Sequence, residues 1–184
     1  MTNVVPVFNR IPPLVRVPLR FGAIGGVLGF VLIIVLYYIG RHPFLIHPVF
    51  DFRVALFGIL IFFALRELRE YHFNGLLSFG KGMIASLVFV LSYGIIASLL
   101  IWIFTLNVPV FVRDYIDLYT NQVKSYPQEV IDQIGRENYD RTLVQLKTVT
   151  GGALAKLYFI QGMIIGFFIS IILSVILRRQ PQNP

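Results

Sequence analysis

The sequence predicts an all-α, polytopic membrane protein: four transmembrane helices, with an amphipathic helical hairpin between the third and the fourth. Three observations predict it. Of 184 residues, 57% are hydrophobic and 14% charged, whereas charged residues make up roughly a quarter of a soluble domain. After Lys81 there is no charged side chain until Arg113. As a helix, that run of about thirty residues covers about 45 Å, more than the roughly 30 Å hydrocarbon core of a bilayer. Finally, residues 113–152 alternate polar and apolar positions with a helical period, the mark of surface helices rather than spans.

Residues 1–20 carry Arg10, Arg16 and Arg20 with no acidic residue, and Pro6, Pro12, Pro13 and Pro18 argue against a continuous helix. They read as an extended, basic, Pro-rich cytoplasmic arm. A cleaved signal peptide is disfavoured because the following apolar run is too long and ends in Y-Y-I-G-R instead of small residues.

The first span is expected over 21–39, with Tyr37 and Tyr38 at its far interface. Gly22, Gly25, Gly26 and Gly29 form overlapping G-x-x-x-G pairs, which let a second backbone approach closely where lipid supplies no hydrophobic drive for association. A packing face within the monomer is expected in preference to a dimer face.

The crossover R-H-P-F-L-I-H-P-V-F-D-F-R follows. His42, His47 and Asp51 superficially resemble a metal-ligand set, but their spacing matches no known site and each histidine precedes a proline that favours an extended turn. The histidines are expected to be solvated and Asp51 to do no more than neighbour Arg53.

The second span is placed at 49–65. Its uninterrupted apolar core of about twelve residues is short for a crossing, so Arg53 and Arg66 must snorkel toward the two headgroup layers. R-E-L-R-E-Y-H then continues as a solvated helical face, with Arg66 and Glu70 as i,i+4 neighbours.

Asn74-Gly75 marks a turn, and Ser78 is positioned to cap the third span at 82–108. Gly75-x-x-x-x-Gly80-Lys81 approaches a phosphate-binding loop, but Gly82 stands where Ser or Thr is required, so no nucleotide site is read here. Lys81 is expected to anchor to lipid phosphate and Trp102 to mark the outer interface. Pro109 should bend the helix as it leaves the bilayer.

Within the insert at 113–152, Tyr115, Ile116, Tyr119 and Val123 share one arc while Asp114, Asp117, Asn121 and Lys124 share the other. Ser125 and Gln128 are spaced as a capping box opening a second amphipathic helix, and Gly151-Gly152 reads as a hinge. Acidic and basic residues balance across the insert, so it is not a polyanion site.

The fourth span is placed at 153–179, with a polar tail at 180–184. Gly162, Gly166, Ser170 and Ser174 recur every four residues, and this ridge of small residues is expected to pack against the glycine face of the first span. Gln161 is its one strongly polar side chain and reads as a hydrogen-bonded packing residue.

Lysines and arginines divide evenly between the two sides, but those on the side of the termini are denser, which places both termini in the cytoplasm. Net charge of +7 does not imply nucleic acid, since the basic residues sit at the ends of apolar runs. The absence of cysteine removes disulfides, thiolate metal sites and cysteine nucleophiles.

G-L-L-S-F-G-K-G at Gly75 to Gly82, the amphipathic insert and the basic end after the fourth span together resemble a family of bacterial inner-membrane proteins of unknown function. The resemblance covers Leu19 to Arg179 and implies four spans with a helical extracytoplasmic insert before the last. It transfers no catalytic or binding residue, and the His-Pro crossover is foreign to it.

No catalytic, cofactor-binding or metal-binding residue is therefore expected. The favoured reading is a non-enzymatic membrane protein, bounded by lipid, whose insert presents a contact surface to a protein partner as an accessory subunit. The alternatives are a transporter or channel component acting as an oligomer, and an interfacial enzyme using His42, His47 and Asp51.

Overall fold

A computed structural model describes residues 11–46 and 51–179. His47, Val49 at the expected start of the second span, Arg10 and the 180–184 tail lie outside the described residues. Among the described residues the chain is all α: α1 (Pro13–Tyr38), α2 (Phe52–Glu67), α3 (Phe79–Asn107), α4 (Pro109–Lys124), α5 (Gln128–Ile134), α6 (Arg136–Leu146) and α7 (Gly151–Ile176). Three of these, α1, α3 and α7, are long and apolar enough to cross a membrane.

Helix α1 begins eight positions before the expected boundary, so residues 13–20 are helix and not extended arm. Pro13 occupies the first helical position, where its missing N–H would have had no partner anyway. Pro18 lies inside the helix, at the cost of one backbone bond. Helix α2 starts on Asp51, whose side chain accepts from the Arg53 amide, and runs on into a π turn at Leu68–His72. Asn74 and Gly75 both take positive φ, which reverses the chain toward Ser78, the N-cap of α3.

Helix α3 is the axis of the molecule, with α1 on one side and α7 on the other. A Cβ on Gly26 would fall 2.9 Å from the Tyr93 carbonyl oxygen and 3.0 Å from Ile96 Cβ, and Gly22 is held more tightly still against Phe89 and Ser92. Gly25 and Gly29 lie on Leu60 and Tyr93. The expected meeting of the two small-residue faces does not occur. On α7, Gly166 lies against Val90 and Phe57, and Ser174 against Gly82, while Gly162 looks toward Phe57. Ser170 turns its hydroxyl back to the Gly166 carbonyl at 2.6 Å. Both ridges are filled by α3 and α2 because α3, uncharged after Lys81 and with apolar side chains on every side, can serve a neighbour on each side.

At one end of the bundle, Arg20 of α1 pairs with Glu67 of α2 at 2.7 Å, and Leu77 and Arg179 exchange backbone hydrogen bonds of 3.0 and 2.9 Å. Arg66 and Glu70 form their i,i+4 pair at 3.0 Å. The insert occupies the opposite end.

The insert contains three helices where two were expected. Gly135, at φ +82°, ends α5 and starts α6, a conformation that other residues rarely adopt. The capping box does not form: Ser125 donates to the Gln122 carbonyl, and Pro127 is the residue that precedes α5. Gly151 and Gly152 open α7 behind the Thr150 cap instead of hinging, and Gly151 is seated directly on the Thr105 side chain. The expected bend before Pro109 is a full break, with Pro109 as the first residue of α4. Helix α6 folds back on α4, and Phe111, Tyr115, Val123 and Leu146 are buried, the first two against Tyr37, His42 and Phe44.

Candidate functional site

Helix α2 is shorter than its neighbours, and its first turn meets α7 well inside the bundle. Gln161 lies about 15 Å along α7 from Gly151, at a rise of roughly 1.5 Å per residue. Arg53, the second residue of α2, reaches it there: Nη2 donates to Gln161 Oε1 at 3.0 Å and Nη1 to the Tyr158 carbonyl at 3.1 Å. The guanidinium carbon stands 4.5 Å from the centre of the Tyr158 ring, a cation–π distance.

Asp51 completes the group. Its carboxylate takes Arg53 Nε at 2.8 Å, pairs with Nη2, and accepts the Arg53 backbone N–H at 2.9 Å. Side-chain exposure is 8% for Arg53 and 10% for Asp51. An ion pair this far from water is tenable only with nearly every lone pair and N–H engaged, and the partners on α7 supply what Asp51 cannot. The expectation that Arg53 reaches toward headgroups and that Asp51 does no more than neighbour it is corrected by this arrangement, since the pair is buried against α7. Tyr93 and Tyr158 hydroxyls, 2.7 Å apart, carry the polar contacts one step further into the core.

His42 is buried, not solvated. Its Nε2 lies 3.1 Å from the Phe111 carbonyl oxygen and therefore carries the proton, while Nδ1 has no partner among the described residues. The ring is 4.6 Å from Phe111 and 5.5 Å from Tyr115, centre to centre. Burial pushes its pKa below the ordinary histidine value, keeping the ring neutral. Tyr37 donates to Asp114 at 2.7 Å. These two contacts tie the C-terminal end of α1 and the crossover to α4.

Between the crossover, α2, α4 and α7 lies a cavity of about 690 Å³. Asp51, Arg53, Gln161, Tyr115, Tyr119 and Gln122 supply its polar lining, and Ile33, Phe52, Leu157, Ile164 and Ile165 most of its apolar wall. Burial raises the pKa of the Tyr115 hydroxyl, so it remains a neutral hydrogen-bonding group.

Of the residues weighed as a metal or catalytic set, His42 serves Phe111 and Asp51 serves Arg53. No group of three or more His, Asp or Glu side chains capable of holding a metal occurs among the described residues. The small-residue positions line helix contacts and none lines the cavity. What sequence reasoning did not assemble was the Asp51–Arg53–Gln161 group. Its signal was present in two separate facts: a charge just inside the start of a short apolar helix, and a lone glutamine in the last long one.

Residues 20–179 match the family described as Protein of unknown function (DUF4199). The chain belongs to this family. No curated protein and no solved structure matches it. The family match takes in both ends of the Leu77–Arg179 bridge, the Arg53 group and the whole insert.

Proposed function

We propose that this chain is a non-enzymatic, four-span protein of a bacterial inner membrane, with both termini cytoplasmic, acting as an accessory subunit through its outer end. The observation that carries the reading is the rigid attachment of the insert to the bundle. Tyr37–Asp114 and His42–Phe111 hold α4 from two sides, and α4 in turn supports α6. A platform held this way presents a fixed surface, and preorganised surfaces lose little conformational freedom on binding a partner.

The second span, α2, is supported by what its ends touch. Glu67 meets Arg20 at the end where α1 starts, whereas Arg53 meets Gln161 toward the end where α7 starts. Its 16 residues cover only about 24 Å, and the π turn beyond, together with a local thinning of the bilayer, makes up the difference.

The experiment places a photo-crosslinking residue at Val144, which is 63% exposed on α6, in cells expressing the full chain. A discrete heterologous adduct from this position, and none from exposed Ile95 on α3, supports the accessory reading. Adducts to lipid alone from both positions would overturn it.

A transporter component is the second reading. It is favoured by the Arg53–Asp51–Gln161 group, since a charge inside a span points by default to a solute path. Substrate-dependent flux in reconstituted vesicles, lost in Arg53→Met, would replace the first reading with this one.

A further inference from the structure

The cavity at the outer end of α2 is not used by the accessory reading, and its lining has a definite chemistry. The geometry points to a binding site for one bilayer lipid whose headgroup carries no net charge. The inference rests on the membrane insertion in the preceding reading and on nothing else in it.

Size comes first. A cavity of about 690 Å³ falls within the roughly 300–1,000 Å³ of ligand pockets. Filled with water at about 30 Å³ per molecule it would leave Ile164 and Ile165 wet.

Charge selects the headgroup. Arg53 and Asp51 neutralise one another, so the cavity holds no unpaired charge. A head with a net charge of either sign would find no free counter-charge there to offset the loss of its water. The cavity-lining groups still without partners among the described residues are the Tyr115 and Tyr119 hydroxyls, the Gln122 side-chain amide and the Gln161 amide nitrogen, all neutral. They suit the ester, hydroxyl and phosphate oxygens of a zwitterionic head.

Access selects a lipid over a dissolved solute. Leu157 and Ile164, on the α7 side of the cavity, are 37% and 55% exposed. With α7 in the bilayer, that exposed side meets acyl chains, so an amphiphile can enter sideways, leaving its chain along Ile164 and Ile165 and its head toward Tyr119 and Gln161.

The test uses the full chain purified from membranes in mild detergent, after confirming that alkaline carbonate leaves it in the membrane pellet. Native mass spectrometry follows incubation with phosphatidylethanolamine, with phosphatidylglycerol, or with water-soluble glycerophosphoethanolamine. One phosphatidylethanolamine per chain is expected, retained about tenfold more tightly than phosphatidylglycerol. Ile164→Trp, which fills the cavity from its lip, should abolish retention with the thermal midpoint unchanged. Tyr115→Phe combined with Tyr119→Phe should weaken it about tenfold, the loss of two hydrogen bonds. Equal retention of both lipids, retention that survives Ile164→Trp, or displacement by the soluble headgroup would overturn the inference. Release of the protein by carbonate would overturn the membrane reading as well.

Discussion

Arg53 on α2 donates to the side chain of Gln161 on α7 at 3.0 Å, so a charge at the start of the shortest apolar helix is secured by a helix more than a hundred positions later in the chain. With Asp51 it forms a compact, nearly water-free group. Removing one member strands the other. Arg53→Met should cost about 3–5 kcal/mol, the penalty of an uncompensated buried charge, and Asp51→Asn combined with Arg53→Met should cost less than the single change. Thermal unfolding in micelles of the singles and the double measures the coupling, and equal losses for Arg53→Met and the double would remove the charge-pairing argument.

The glycines divide into two kinds. Gly26 has no room for a methyl group beside the Tyr93 carbonyl, whereas Gly58 on α2 has nothing within 4 Å of where one would sit. Gly26→Ala should therefore destabilise by about 1–3 kcal/mol through overpacking. Gly58→Ala should be neutral or stabilise by up to about 1 kcal/mol, because alanine is the better helix former. Melting curves of the two variants, compared with the parent, decide it.

Legibility in the sequence followed the range of the interaction. Period and length reveal a helix, so α1, α3, α4 and α7 could be read from the chain. Gly22, Gly26 and Gly166 could be recognised as close-packing positions from spacing alone. Their partner could not, since a small-residue ridge states that something approaches and not which helix does; here it was α3 and α2. Pro13 and Pro18 misled because proline is judged by its missing donor, and at the first helical position that donor has no use. His42 misled for a different reason. A histidine before a proline in a short crossover looks solvated until α4, far along the chain, closes over it.

His42 gives the outer end a pH dependence. Its folded pKa is below the ordinary value because burial disfavours the imidazolium. The unfolded or undocked state then binds the proton more readily, so the stability of the α4 contact is complete above the ordinary histidine pKa of about 6.5 and declines as pH falls from there toward the folded value. The slope cannot exceed about 1.4 kcal/mol per pH unit for one proton. The protection of the Phe111–Tyr115 amides, taken as the exchange rate relative to the intrinsic rate at the same pH and followed from pH 7.5 to 5, should fall in the parent. In His42→Phe it should be lower at pH 7.5 and unchanged with pH.

Tyr37 and Tyr38 are adjacent but unequal. Tyr37 donates to the Asp114 carboxylate at 2.7 Å, whereas Tyr38 is exposed. Tyr37→Phe should weaken docking of α4 by about 1.5–3 kcal/mol, the range for a hydrogen bond to a charged group, and Tyr38→Phe should leave it unchanged. Limited proteolysis after Lys124 reads the difference directly.

The central claim is that α2 crosses the bilayer beside α1, α3 and α7, leaving the insert and the Glu67–Arg20 end on opposite faces. Because the chain has no cysteine, single cysteines at Tyr71 and at Glu129 can each be probed with a membrane-impermeant thiol reagent in whole cells. Labelling of Glu129→Cys in intact cells, and of Tyr71→Cys only after permeabilisation, is the predicted result. Labelling of both positions from the same side would contradict the four-span account.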